Sequence, residues 1–341
     1  MLGLNRYPLV VNFIWTIFLT AIAGGIGADN YAPGNLPLES ASNYQWAKVT
    51  DSAAFPGGYN FPLFNLKNKL WAFHPDGNWS SEDGQNWAKA DLPRLGFNTA
   101  YQKYVQFNDA IYALGTMEGN YLNLKLGSRI TKTSDLKKWE VVAEKSELPA
   151  RVFYGSVAFD GKMWLMGGFD GKNYYHDVWN STDGIHWRRV VDQAPWEARC
   201  NSTCIVFNNK LWLLGGGVID GQGFNDVWSS ADGINWKRAA DKMAAKYIFG
   251  YSAVVFDGQL WLLGANRDGV FENAVFVSSD GVNWTNHTAP WTPRGGVASC
   301  IYNGALFMTG GKYSVTENGK IRFIYNNDVW RMSRLHQYRE Q

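Results

Sequence analysis

Two aromatic residues spaced by eight, with Asp-Gly between them, recur along this chain at a nearly constant interval. Trp79 and Trp87, Trp179 and Trp187, Trp228 and Trp236, and Phe276 and Trp284 keep that spacing, and Asp83, Asp183, Asp232 and Asp280 are each followed by Gly. Asp-Gly favours a tight reversal, because glycine takes positive φ without steric cost and the aspartate carboxylate caps the amides beyond it. Each stretch therefore reads as a β-hairpin. A second signature precedes each hairpin, an apolar residue followed by an aromatic: Leu70-Trp71, Ile111-Tyr112, Met163-Trp164, Leu211-Trp212, Leu260-Trp261 and Leu306-Phe307. Successive aromatics in that series lie 41, 52, 48, 49 and 46 residues apart. That is the period of a four-stranded propeller blade, and repeats of this kind bury their faces only against copies of themselves. The expected fold is all-β, a six-bladed propeller.

The sixth unit is incomplete at the carboxyl end. Asn327-Asp328-Val329-Trp330 repeats the first half of a hairpin, and the chain stops eleven residues later with no further tryptophan. The missing piece is at the other end, where Tyr44-Gln45-Trp46-Ala47-Lys48-Val49 has the pattern of a unit's final strand with no hairpin before it. Pairing the two closes the ring and removes open sheet edges. The second unit is the least regular: Asp135-Leu136 replaces Asp-Gly, Thr131 stands where the first tryptophan is expected, and a long insert follows Gly115. The divisions expected are a hydrophobic segment over 1–28, a linker over 29–42, the propeller over 43–332 and a tail over 333–341.

The units Arg151 to Val190 and Arg199 to Ala239 resemble the kelch propellers. They share an Arg, a strand of small residues, Asn/Asp-Gly or Asn-Asn, an aromatic strand, Gly-Gly, a variable loop, Asp-Val-Trp and a closing Trp. That family includes galactose-oxidase-like enzymes, sialic-acid epimerases and many binding modules, so the resemblance implies a fold more than a function. In its members that bind acidic peptides, arginines ahead of the inner strands line the central pocket. By resemblance Arg151, Arg199 and Arg294 are the matching positions. With Arg94, with Lys246 in a looser register, and with Trp196 and Trp291 in the shared Ala-Pro-Trp phrase, they form the candidate binding face.

Net charge is only +2 and both signs are scattered, which points away from nucleic acid. The cysteines, Cys200, Cys204 and Cys300, are odd in number and have no metal-type spacing. His74 and His176 alone could share the loop face, too few for a copper or zinc site. Spacing selects no acid/base pair among Glu118, Asp170, Asp220, Asp268, Glu272 and Glu317 either. No cofactor is expected. The uncharged run from Tyr7 to Ala28 is apolar enough to span a bilayer, and it reads as a retained anchor or as a secretory leader; both put the propeller on the extracytoplasmic side. The expectation is a non-catalytic, membrane-tethered module docking a protein partner, such as an integral-membrane respiratory or photosynthetic complex, through its Arg- and Trp-bearing face and the long loops Thr116 to Thr131 and Lys312 to Asn326. The alternative is a secreted carbohydrate-active protein that binds sugars or acts on an acidic one.

Overall fold

The computed structural model describes residues 43–95, 103–120, 123–219, 221–243, 248–267 and 269–335. The expected anchor or leader, the whole of the expected linker and residues 336–341 of the expected tail lie outside these residues. Among the described residues twenty-six strands form six sheets, and in blades 1 to 4 the strand order follows the chain. Their inner strands are Leu63–Leu66, Lys103–Phe107, Gly155–Phe159 and Thr203–Phe207, continued by Ser252–Phe256 and Gly295–Tyr302 in blades 5 and 6. Side chains bridge neighbouring inner strands: Gln106 Nε2 donates to Asn65 O at 3.0 Å, Asn65 Nδ2 donates to Ile301 O at 3.1 Å, and the hydroxyls of Ser252 and Ser299 meet at 2.8 Å. The protein is a six-bladed β-propeller.

The repeated residues have repeated jobs. In the second strand of blades 1, 3, 4 and 5 the indole N–H of Trp71, Trp164, Trp212 or Trp261 donates to the carbonyl ending the first strand, at 2.8–3.1 Å. The outer hairpin is built on its serine and aspartate. In blade 4 Ser230 Oγ accepts from Gly233 N at 2.9 Å, while Asp232 Oδ1 accepts from Ile234 N and Asn235 N, both at 2.8 Å. Trp236 Nε1 then donates to Gly233 O at 3.0 Å. A glycine is required here for two reasons: φ is +74°, and a Cβ would sit 2.2 Å from the ring of Trp164 in the preceding blade. Each hairpin thus packs its turn onto the blade before it. Blade 2 keeps the geometry without the glycine, since Thr133 Oγ1 accepts from Leu136 N at 3.0 Å and Leu136 itself takes φ of 61°. A leucine at that angle is strained, and burial of its side chain in the contact with Trp71 offsets the cost.

Blade 6 is assembled from both ends of the chain. Tyr44–Thr50 pairs antiparallel with Val329–Arg334, with Tyr44 opposite Arg334 and Trp46 opposite Met332. Its aromatics fill the places of the absent hairpin. Tyr44 meets Trp261 edge-on at 5.0 Å, where other blades press a turn glycine on that ring, and its hydroxyl donates to Asp257 Oδ2 at 2.6 Å. Trp46 meets the linker Trp291 at 4.4 Å, as Trp236 meets Trp196 at 4.8 Å in blade 4.

Removing residues through Val49 is expected to strip blade 6 of its outer strand and destabilise the whole domain, whereas removal through Leu38 should leave it unchanged. Thermal melts of the two truncations test this, and equal melting temperatures would contradict closure by this strand.

Candidate functional site

Connections between second and third strands, and linkers between blades, gather on one face of the ring. Linker and blade are stitched there by backbone hydrogen bonds, among them Val152 N to Phe169 O at 2.8 Å, Cys200 N to Gly217 O at 2.8 Å and Gly311 N to Gly58 O at 2.9 Å. Around the mouth of the central channel five linkers enter their inner strands, those of blades 1, 3, 4, 5 and 6, through a left-handed residue: Asn60, Phe153, Asn201, Gly250 and Gly296, with φ between 54° and 72°. That turn aims each N–H sideways. Asn201 N donates to Phe153 O, Gly296 N to Gly250 O, and Asn60 N to Gly296 O, at 2.5–2.8 Å. These bonds tie blade 3 to blade 4, blade 5 to blade 6 and blade 6 to blade 1 along the rim.

The arginines expected on a binding face lie inside this face rather than upon it. Arg151, Arg199 and Arg294 are only 3%, 1% and 1% exposed. Each guanidinium pairs with the aspartate of its own Asp-Val-Trp: Arg151 with Asp177 at 2.6 and 3.1 Å, Arg199 with Asp226, and Arg294 with Asp328. Each also donates to a glycine carbonyl of the second strand, Gly167, Gly215 or Gly310, at 3.1–3.2 Å. The tryptophan two residues on completes the cluster: Trp179, Trp228 and Trp330 donate to the same aspartates at 2.7–2.8 Å. Aromatic rings cover two of the guanidiniums, Tyr175 over Arg151 at 4.1 Å and Phe224 over Arg199 at 4.2 Å. Burial pushes the Asp226 carboxyl up, but its hydrogen bonds from Arg199 and Trp228 outweigh this and hold it below the usual carboxylate range.

Trp196 and Trp291, each 2% exposed, are likewise buried as wedges between linker and blade. Arg94 is exposed and stands nine residues ahead of its inner strand, out of register with the other arginines. Lys246 lies outside the described residues. Five of the seven candidate side chains are thus interior: the three arginines are held by the aspartates of Asp-Val-Trp, and the two tryptophans are packed between linker and blade.

The remaining candidates are scattered. His74 is wedged between Phe55 and Phe61, and burial lowers its pKa to about 4; His176 contacts Trp196 O at 3.0 Å two blades away. Asp170 accepts from Tyr175 at 2.5 Å, Glu272 pairs with Arg267 at 3.0 Å, Glu317 pairs with Arg322 at 2.8 Å, and Glu118 is exposed. Asp220 and Asp268 lie outside the described residues. Among the described residues no three His, Cys, Asp or Glu side chains converge to hold a metal ion.

Two features of this face escaped the sequence reading. The long segments expected as loops in blades 2 and 6 are β-ribbons, Ala110–Asn120 with Asn123–Thr133, and Ala305–Glu317 with Lys320–Tyr325. The second feature is Lys312, at the base of the blade 6 ribbon. Its ammonium sits 4.3 Å from the ring of Tyr59 and 4.1 Å from that of Phe323, and the residue is fully buried. Burial lowers its pKa to about 6, since the charged form loses its hydration.

A family model described as the DUF6242 beta propeller domain matches residues 37–250, well over half of the chain, and the chain belongs to that family. No curated protein matches it. Among solved structures, one titled "Structure of YjhT" matches with a TM-score of 0.65 at 11% identity, covering 81% of this chain and 99% of that one. At such identity the likeness speaks for the fold alone.

Replacing Arg199 by Ala leaves Asp226 buried without its cation and is expected to cost about 3–5 kcal/mol in chemical denaturation. Arg94→Ala, at an exposed position, should change stability by less than about 0.5 kcal/mol. A second expectation follows from Lys312. The unfolded chain binds this proton more tightly than the folded one, so between about pH 6 and pH 10.5 its contribution to stability improves as pH rises. Lys312→Met should raise the melting temperature at pH 7 by about 2–4 °C, the shift expected for roughly 1 kcal/mol, and by less at pH 10.

Proposed function

We propose that this DUF6242-family propeller is a non-catalytic interaction module, tethered to a membrane by its leading segment and docking a partner protein through the ribbons of its linker face. The observation that carries the reading is where the chain departs from its own repeat. Second strands have 6, 8 and 5 residues in blades 1, 3 and 4, but 11, 9 and 13 in blades 2, 5 and 6. In blade 2 the extra length packs on the next two blades, through Met117, Leu124 and Leu126 against Val152, Phe169 and Ile219, whereas in blades 5 and 6 it carries side chains out into solvent. In repeat proteins such per-unit insertions collect on the face that binds. Two of the ribbons lift large apolar side chains into solvent, Val270 at 65% exposure and Ile321 at 55%. A partner seated on these ribbons would bury both side chains.

The course of the chain suits a tether. Tyr44 and Asp257 meet beside the turn between the first two strands of blade 5, on the face opposite the ribbons. A segment leading into Tyr44 from a membrane leaves the ribbons turned outward, and sharing the bilayer raises the effective concentration of a membrane-bound partner. Among the described residues no helix is long and apolar enough to cross a membrane, and residues 1–28 lie outside them.

Membrane fractionation followed by mild detergent extraction tests the reading. The protein is expected to sediment with membranes and to co-purify with integral-membrane subunits, and Val270→Asp should weaken that complex at least tenfold without changing the melting temperature. A soluble, processed monomer beginning near Gly24 or Asp29 would contradict it and favour the secreted carbohydrate-active alternative.

A further inference from the structure

We propose that the outer edge of the blade 6 ribbon is a strand-addition site that takes an extended, acidic segment of the partner protein. This rests on the docking reading and specifies its mode. The ribbon turns at Asn318-Gly319, both at positive φ (51° and 69°), the backbone of a tight hairpin. Tyr313, Val315, Ile321, Phe323 and Ile324 belong to none of the domain's hydrophobic clusters. The blade 2 ribbon differs, for its Met117, Leu124 and Leu126 pack on Val152, Phe169 and Ile219. A bare two-stranded ribbon is marginally stable at best, so the apolar ribbon of blade 6 calls for a cover.

Alternation of the ladder shows which backbone groups are open. Asn326 N donates to Gly311 O, which makes that a hydrogen-bonded pair, and in an antiparallel ladder such pairs alternate with non-bonded ones. Counting along the register, Ser314 opposite Phe323 and Thr316 opposite Ile321 are non-bonded pairs. The N–H and C=O of Ile321 and Phe323 therefore point away from the ribbon. At Tyr325 the linker lies close, since a Cβ on Gly57 would stand 2.4 Å from Tyr325 O. Among the described residues no backbone hydrogen bond reaches Ile321 or Phe323 on that side. Four unpaired groups in a row are a template for an extended chain.

Charge identifies the occupant. A second copy using these same groups about a two-fold axis would set Ile321 against Phe323 and Arg322 directly against Arg322, a like-charge pair at the closest cross-strand spacing. That contact is disfavoured. A partner strand with an acid opposite Arg322, another opposite Lys320, and apolar residues opposite Ile321 and Phe323 satisfies every group. Lys320 and Arg322 are both exposed and available to such a strand, although Arg322 also reaches Glu317 in its own ribbon.

The test uses the full-length protein in detergent and two synthetic probes, acetyl-Thr-Val-Glu-Val-Glu-Val-amide and the same peptide with lysine for glutamate. The glutamate peptide is expected to bind at least tenfold tighter than the lysine peptide and to slow exchange of the Ile321 and Phe323 amides. Ile321→Pro removes one outward N–H, a change that edge strands tolerate, and should weaken binding at least tenfold. Arg322→Gln should abolish the preference between peptides while leaving the melting temperature unchanged, and Ile234→Asp, at an exposed position on the outer hairpin of blade 4, should bind as the wild type does. Equal binding of the two peptides, or an unaltered preference in Arg322→Gln, would overturn the inference. So would slow exchange of the Ile321 and Phe323 amides before peptide is added, since the edge would then already be held by a second copy or by another segment of this chain. Failure of the peptides alongside an intact, Val270-dependent membrane complex would remove strand addition and leave the docking reading standing.

Discussion

Seven residues, Tyr44–Thr50, complete a sheet whose other strands lie between Gly295 and Arg334, and the ring depends on that one antiparallel pairing. A propeller left open would expose the edge of Val329–Arg334 and uncover Trp261 and Trp291, whose rings now meet Tyr44 and Trp46. Because each blade's outer hairpin packs its turn on the blade before it, an unfilled place in blade 6 would be felt first in blade 5. Closure joins contacts that are far apart in sequence. It therefore imposes on the whole ring a loop-closure cost that is repaid only when the last strand docks.

Within the closed ring, polar chemistry that looks functional is spent on holding blades together. Three arginines, three aspartates, three glycine carbonyls and three indoles form the same buried cluster in blades 3, 4 and 6. Repetition is itself the argument, since a ligand rarely presents one chemistry three times around an axis, while an architecture does so by construction. Buried ion pairs contribute little net stability compared with apolar packing, but losing one partner is severe, so such clusters specify geometry. Function is better sought where the symmetry fails. Here that is in the three lengthened ribbons and in Lys312, a buried lysine between two aromatic rings at the base of one of them.

The architecture was legible in the sequence because each blade states its period in aromatics and Asp-Gly turns, and because Trp46 is a closing tryptophan without a hairpin. The pairing of the arginines with aspartates was not read, although the signal was present. Arg and the Asp of Asp-Val-Trp occur together in the third, fourth and sixth units, whereas the fifth has Asn273-Ala274-Val275-Phe276 and no arginine in register. Residues that appear and vanish together within one chain's repeats are partners. The blade 6 ribbon was also written plainly, with Asn318-Gly319 between strands that alternate polar and apolar residues, and its length caused it to be taken for a loop. Lys312 leaves no such trace, because nothing local distinguishes a lysine that will be enclosed by Tyr59, distant in sequence, from one that will be solvated.

The central claim, that the propeller is one ring closed by its first strand, is tested most directly by native-state amide hydrogen exchange. If the account holds, amides in the ladder between residues 44–50 and 329–334 exchange only through global unfolding, with the same opening free energy as those of Leu306 to Thr309 in the middle of blade 6. Fast exchange over 44–50, with Leu306 to Thr309 still protected, would mean that the ring stands without that strand and would contradict the account.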